Sequence, residues 1–140
     1  MSNNKNFIEI IEILSSKMEE IEIRVIEKSE FSKLTHKQIY YLFVIDEMHN
    51  PTLTELAQRL DLSKPSVTAI VTRLIDAGYI TKVQSDEDRR CAHLHMTQQG
   101  SKISRLHDQI HQIIAEYLTK NLTTTDKKQF LTIFLKTRPW

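Results

Sequence analysis

Residues 51–78 read P-T-L-T-E-L-A-Q-R-L-D-L-S-K-P-S-V-T-A-I-V-T-R-L-I-D-A-G, from Pro51 to Gly78. The pattern predicts two short helices around a tight turn. Thr52 opens the first, and Glu55 three residues later completes a capping box, in which hydroxyl and carboxylate satisfy free N–H groups at the helix start. Leu53, Leu56, Ala57 and Leu60 give that helix one apolar face. Asp61-Leu62 leaves room only for a sharp turn. Ser63 then caps the second helix, where Pro65 is tolerated because first-turn N–H groups have no helical partner. Val67, Ile70, Val71, Leu74 and Ile75 recur at helical spacing and point inward. Gly78 ends the helix at a position that favours left-handed backbone.

The outward face of the second helix carries Lys64, Ser66, Thr68, Ala69, Thr72 and Arg73. Short side chains allow close approach to a DNA major groove, hydroxyls suit base edges or phosphates, and cations suit the backbone. The same composition would also serve an ordinary solvated helix, so the following residues matter. After Gly78 the chain reads Y-I-T-K-V, then Q-S-D-E-D-R-R, then C-A-H-L-H-M-T. Two alternating runs flank a charged tip, which predicts a β-hairpin wing directly after a recognition-type helix. Ala92, Leu94 and Met96 share the face expected to pack on the helices; Cys91, His93 and His95 share the other. At the tip, Asp88 stands two residues before Arg90, close enough to hold a guanidinium in a fixed fork for a narrow minor groove.

Taken together, T-L-T-E-L-A-Q-R-L, S-K-P-S-V-T-A-I-V-T-R-L-I-D-A-G-Y-I, D-E-D-R-R and H-L-H-M-T-Q-Q-G resemble the MarR family of bacterial and archaeal regulators. The wing pattern D-x-R, followed by a strand ending L-x-x-T-x-x-G, is the most specific part. The resemblance extends over nearly the whole chain. It implies a homodimeric winged helix that binds a palindromic site, usually as a repressor released by a ligand or by oxidation. Carried over to this sequence, it places Ser63, Lys64, Pro65, Ser66, Thr68, Ala69, Thr72 and Arg73 at the major groove. Asp88, Arg89 and Arg90 become the wing tip. D-R-R-C-A-H-L-H-M-T-Q-Q-G with the downstream R-L-H-D-Q-I-H is also similar to the branch controlling fatty-acid synthesis genes in Gram-positive bacteria. That similarity implies an acyl chain on a carrier protein as effector.

Outside this lobe the sequence is helical. Residues 5–29 form a long helix in which Phe7, Ile11, Leu14, Met18, Ile21 and Val25 follow a four-three spacing. Ile8, Ile10, Ile13, Ile23 and Ile26 widen the stripe beyond one face, so the helix must bury itself against something distant in sequence. A second subunit is the expected cover. Leu34 to Met48 forms the next helix, with Thr35 and Gln38 as another capping box and Leu34 with Ile39 at staple positions. Tyr40 and Tyr41 are expected to be half-buried. Thr97 starts a long fifth helix with the stripe Ile103, Leu106, Ile110, Ile113, Ile114 and Tyr117. After a polar break at 121–125, Phe130, Leu131, Ile133, Phe134 and Leu135 mark a closing helix that ends at Trp140. The expected dimer surface is Phe7, Ile11, Leu14, Met18, Ile110, Ile114, Tyr117, Phe130, Phe134 and Trp140.

The chain has 140 residues, enough for one domain with a modest core, and only two glycines and three prolines. One cysteine excludes an internal disulfide and fits a reducing cytoplasm. No run approaches a membrane span, and the start M-S-N-N-K-N lacks a signal pattern. The net charge of +1 is not the footprint of a nonspecific nucleic-acid coat. Its distribution is uneven: residues 1–30 hold four Lys/Arg against seven Glu, a net of −3, and the rest carries +4. The acidic arm thus lies apart from the DNA-facing segment.

No Gly-rich phosphate loop, G-x-S-x-G or H-E-x-x-H occurs, so an enzyme is not expected and no cofactor is implied. His107 and His111 sit four apart on one helix and could together ligate a metal. They lack a Cys/His quartet around them, so no metal site is expected. Cys91 could respond to oxidation, as cysteines do in some members of the family, although those lie near the N-terminal helix.

The resulting expectation is a mainly α fold with a small β-hairpin wing, residues 1–140 as a single domain. Residues 5–34 and 98–140 would be dimerisation helices and 35–97 the winged helix-turn-helix lobe. Its partners would be double-stranded DNA, a second copy of itself, and a small-molecule or acyl-carrier effector, with no membrane. The competing readings are a winged-helix module for protein contact alone, or a zinc- or thiol-responsive regulator.

Overall fold

Polar residues that can cap a helix stand at most of the points where the hydrophobic periodicity breaks, and these caps set the architecture. The computed structural model describes residues 2–137, with side chains from residue 5. Six α-helices and one hairpin follow in the order α1 (Ser2–Glu27), α2 (His36–Met48), α3 (Leu53–Leu60), α4 (Lys64–Asp76), β1 (Ile80–Gln84), β2 (Ala92–Met96), α5 (Ile103–Thr119) and α6 (Thr124–Lys136). Thr35, Thr52 and Thr123 each close a reciprocal capping box, with Gln38, Glu55 and Asp126. Ser63 caps α4, with a proline in its first turn. This is the winged-helix fold, mainly helical with a two-stranded wing, as the residue pattern predicted.

The turns follow from backbone chirality. His49, Asn50 and Asp61 take left-handed conformations, and Gly78 does so just after α4. Asp61 lets α3 turn into α4 within three residues, its N–H and that of Leu62 bonding back to the last turn of α3.

By packing, the chain divides into two units, one of Ile23–Asp108 and one of the residues up to Glu22 with those from Gln109 onward. In the first unit, Phe31, Ile39, Leu42, Ile45, Leu56, Val67, Val71, Leu74, Ile80, Leu94 and Ile103 are fully buried. Burying each removes apolar surface worth about 2 kcal/mol from water. The wing strands pair antiparallel from Ile80 opposite Met96 to Gln84 opposite Ala92. The second strand is also tied to the α2–α3 link: the Leu94 N–H donates to the Pro51 carbonyl at 2.8 Å, and Thr52 bridges His93. In the second unit, Lys17 and Lys120 both lie over the Tyr117 ring, and Phe130 stacks on Phe134. Among the described residues no helix is long and apolar enough to cross a membrane.

Four expectations need correction. Helix α5 does not start at Thr97; one turn of 3-10 helix over Gly100–Lys102 intervenes, and the Thr97 hydroxyl caps that turn by accepting the Gly100 N–H at 3.0 Å. Tyr40 and Tyr41 are not alike, because adjacent helical positions face different ways: Tyr40 is 52% exposed and Tyr41 1%. On β2 only Leu94 of the inward set is fully buried, and His93 on the supposed outer face points its Nδ1 at the Asn50 carbonyl, 2.8 Å away. The helix predicted over 5–29 ends at Glu27, where Ser29 donates to the Ile26 carbonyl and accepts the Phe31 N–H.

Candidate nucleic-acid interface

Helix α4 is amphipathic by construction. Val67, Val71 and Leu74 lock one side into the core, which leaves Lys64, Pro65, Ser66, Ala69, Thr72 and Arg73 exposed on the other, with Thr68 half-buried. Ser63 is exposed at the cap, where its hydroxyl lies 2.8 Å from that of Ser66 and accepts the Ser66 N–H. The free N–H groups of the helix start and the Lys64 ammonium together favour an anion such as a phosphate. Thr68 and Thr72 turn their hydroxyls back along the helix, donating to the Lys64 and Thr68 carbonyls at 2.7 and 2.8 Å. Every residue expected on this face is therefore brought to one surface, none spent on the core.

The wing tip is organised by its own backbone. The Ser85 hydroxyl accepts the N–H groups of Glu87 and Asp88, and the Ser85 N–H donates to the Cys91 carbonyl at 2.9 Å. Gln84 donates its side-chain amide to the Arg89 carbonyl. The Asp88 carboxylate accepts the backbone N–H of Arg90 at 2.9 Å, and the Cys91 thiol lies 3.8 Å from its other oxygen. The expected fork between Asp88 and the Arg90 guanidinium is not formed. A carboxylate two residues before an N–H closes an Asx turn over a shorter path than one reaching a guanidinium. Arg89 and Arg90 are exposed at the tip.

Two ties that fix the wing, one to the α2–α3 link and one to the turn after α4, carry no local sequence signal. His93 holds the Asn50 carbonyl from 43 residues away. Thr97 donates to the Gly78 carbonyl at 2.6 Å, joining the wing's last strand to the turn after α4. The L-x-x-T-x-x-G pattern holds Thr97 and Gly100, whose N–H Thr97 accepts, but not Gly78.

The residues expected at a dimer surface divide by burial. Phe7, Ile11, Met18, Phe130 and Phe134 are exposed; Leu14, Ile114 and Tyr117 are half-buried; Ile110 is already buried within the chain; Trp140 lies outside the described residues. His107 packs edge-to-face on Phe43 with ring centroids 4.6 Å apart. Among the described residues no group of three or more His, Cys, Asp or Glu is gathered as a metal would need.

Against known proteins, residues 34–92 match the model of the MarR family, a segment covering α2, α3, α4, β1 and the hairpin tip up to the first residue of β2. That segment is similar to the MarR family. The chain is also similar to the transcriptional repressor MprA of Escherichia coli K12, 35% identical over 88 residues, and to the HTH-type transcriptional regulator YpoP of Bacillus subtilis, 31% identical over 71 residues. These alignments cover 59% and 51% of this chain, and 47% and 50% of the relatives; the chain thus spans about half the length of each. The crystal structure of Streptococcus pneumoniae FabT in complex with DNA shares the fold with a TM-score of 0.71, at 24% identity, over 96% of this chain and 95% of that one. MprA and YpoP are both named as transcriptional regulators.

Proposed function

We propose that this chain is a cytoplasmic, sequence-specific DNA-binding repressor that acts as a homodimer on a pseudo-palindromic operator and is released by an effector. One observation carries the reading: a single exposed face of α4 holds all the small, hydroxylic and basic residues, while two unpaired arginines stand at the wing tip. Here Ser63, Lys64 and Ser66 meet phosphate at the helix start, Thr68, Ala69 and Thr72 face the groove floor with Arg73 at its edge, and Arg89 and Arg90 reach the neighbouring minor groove. The relatives support it, since MprA is a repressor and FabT is a protein seen on DNA.

The dimer follows from what one copy leaves uncovered. Phe7, Ile8, Ile10, Ile11 and Ile13 on α1, and Phe130, Leu131, Ile133, Phe134 and Leu135 on α6, are each about half exposed or more. Exposed apolar stripes of this kind mark an interface. Residues 5–34 and 98–140 thus serve association, and 35–97 serve DNA. Two recognition helices held about 34 Å apart enter successive major grooves. A ligand that alters this spacing weakens binding through its differential affinity for the two arrangements. A groove of about 380 Å³ within the Ile23–Asp108 unit, lined by Tyr40, Phe43, Val44, Arg59 and His107, is a suitable entry point. The carboxylates of Asp46, Glu47 and Asp108 in its lining suit a small polar effector better than an acyl chain.

The test is selection of bound duplexes from a random pool by the full chain, with sedimentation of the same sample. A palindromic consensus bound by a dimer is expected, and Arg90→Ala should weaken binding to it with the fold intact. A monomer in solution, or a pool without enrichment at low salt, would refute the proposal.

A further inference from the structure

We infer that Thr68, Ala69 and Thr72 form a methyl-presenting patch that selects thymine in each half-site, with guanine disfavoured opposite it. The inference rests on the DNA-binding reading above and adds the base class read by the centre of α4. A threonine hydroxyl has one proton to give. In Thr68 that proton goes to the Lys64 carbonyl at 2.7 Å, and in Thr72 to the Thr68 carbonyl at 2.8 Å. Neither hydroxyl can then donate to a base without breaking its own bond.

Fixing Oγ1 on the preceding turn also fixes the methyl, since both hang from the same Cβ and rotate together. Residues 68 and 72 are one turn apart and share a face, with Ala69 beside them. Ala69 and Thr72 are exposed and Thr68 is half-buried, so the middle of the reading face shows three methyl groups and hydroxyl lone pairs but no donor. Donors stand only at the flanks, on Ser63, Lys64 and Ser66 at the start and on Arg73 beyond.

The edges of the base pairs answer this pattern unequally. In the major groove thymine offers its C5 methyl and adenine its N6 amino group. Both are matched, the first by the methyls and the second by the lone pairs. Guanine offers two acceptors, N7 and O6, and would face a surface without donors, leaving both unsatisfied where water is expelled. The patch therefore favours thymine through its methyl and disfavours guanine through polarity, while the amino groups of adenine and cytosine both find an acceptor.

The experiment starts from the consensus selected by the full chain. Each half-site thymine is replaced in turn by deoxyuridine, which removes only the C5 methyl, and affinity is read by fluorescence anisotropy at fixed salt. One or two positions per half-site should each lose about fourfold in affinity, the equivalent of one buried methyl group. Positions outside the α4 footprint should not respond. In Thr72→Ser, which keeps the hydroxyl and drops the methyl, the thymine-to-uracil ratio should fall to about one at one of those positions. In Thr72→Val, which keeps the methyl and drops the hydroxyl, the ratio should survive. A consensus that binds tightly while every uracil is silent overturns this inference alone, as does an unchanged ratio in Thr72→Ser. A protein that enriches no sequence overturns the DNA-binding reading and this inference with it.

Discussion

The hydroxyl of Thr97 donates to the carbonyl of Gly78 at 2.6 Å. The same oxygen accepts the Gly100 N–H, and the Thr97 N–H donates to the Tyr79 carbonyl at 3.0 Å. One residue thereby joins the turn after α4, the start of β1, the end of β2 and the approach to α5. Thr97→Val keeps the shape but leaves two polar backbone groups unpaired, at a cost of about 1–3 kcal/mol. Thr97→Ser should retain most of that. Urea midpoints of the two variants check this, and operator affinity should fall in Thr97→Val only, because the wing is no longer held to the recognition helix.

Gly100 and Gly78 should respond differently to alanine. At Gly100, a Cβ would be driven into the Tyr79 carbonyl, which the Thr97 N–H holds in place. Gly100→Ala should cost about 3 kcal/mol, as overpacking against backbone does. At Gly78 a Cβ would meet only the Gln99 side chain, at an ordinary contact distance of 3.6 Å, but φ is +82°, so alanine meets conformational strain alone, about 1–2 kcal/mol. Thermal or urea unfolding of the two variants should rank them in that order.

What the sequence disclosed about this fold was what is local. The capping boxes at Thr35, Thr52 and the cap at Ser63 involve partners three residues away, so spacing alone revealed them. The exposed apolar stripes of α1 and α6 were equally legible, because periodicity reports a face whether or not anything covers it. Contacts between distant segments were not. Nothing near His93 indicates the Asn50 carbonyl as its partner, and nothing near Asp88 decides between the backbone and the side chain of Arg90. Tyr40 and Tyr41 read alike in the sequence, because composition does not resolve which of two adjacent aromatics falls on the buried face. On the reading surface, residue identity was legible but donor state was not: that Thr68 and Thr72 have spent their protons follows only from rotamers.

The Asx turn at the wing predicts a separation of charge from shape. Asp88→Asn keeps an oxygen for the Arg90 N–H and removes a negative charge from the tip. It should bind operator as tightly as the parent or more so. Asp88→Ala removes the acceptor, and the loosened tip should cost about 1 kcal/mol, roughly fivefold in affinity. Gel-shift titration of both variants at one salt concentration decides; equal losses would mean that the carboxylate's charge is what matters.

Tyr41 is a weak point in the core. Its ring is fully buried, and its hydroxyl has no hydrogen-bond partner among the described residues. Burial, with the neighbouring Tyr40 adding to it, pushes the phenol above its ordinary pKa. A buried hydroxyl without a partner costs free energy that its ring does not need to incur. Tyr41→Phe should therefore leave stability unchanged or raise it by about 1 kcal/mol, read from urea unfolding. A loss of 2 kcal/mol or more would mean that the hydroxyl has a partner in solution.

The box at the start of α3 makes part of the stability acid-sensitive. Glu55 accepts the Thr52 N–H at 2.7 Å and the Thr52 hydroxyl at 3.0 Å. The backbone bond first, the hydroxyl bond next, and finally the charge of nearby His93 hold the carboxyl below its ordinary pKa, against a small opposing effect of burial. An acid with a folded pKa below its unfolded one binds fewer protons when folded. Its contribution is thus complete above the unfolded value of about 4.3 and lost as pH falls through the lower folded value. The group is solvent-exposed, so the effect is small, but its sign is fixed. Glu55→Gln still reaches the Thr52 N–H with a neutral oxygen and cannot titrate. Comparing urea midpoints from pH 6 down to pH 3, the parent should lose more stability than Glu55→Gln, and the two curves should converge at the acid end. Parallel curves would show that the carboxylate's hydrogen bonds do not persist in solution.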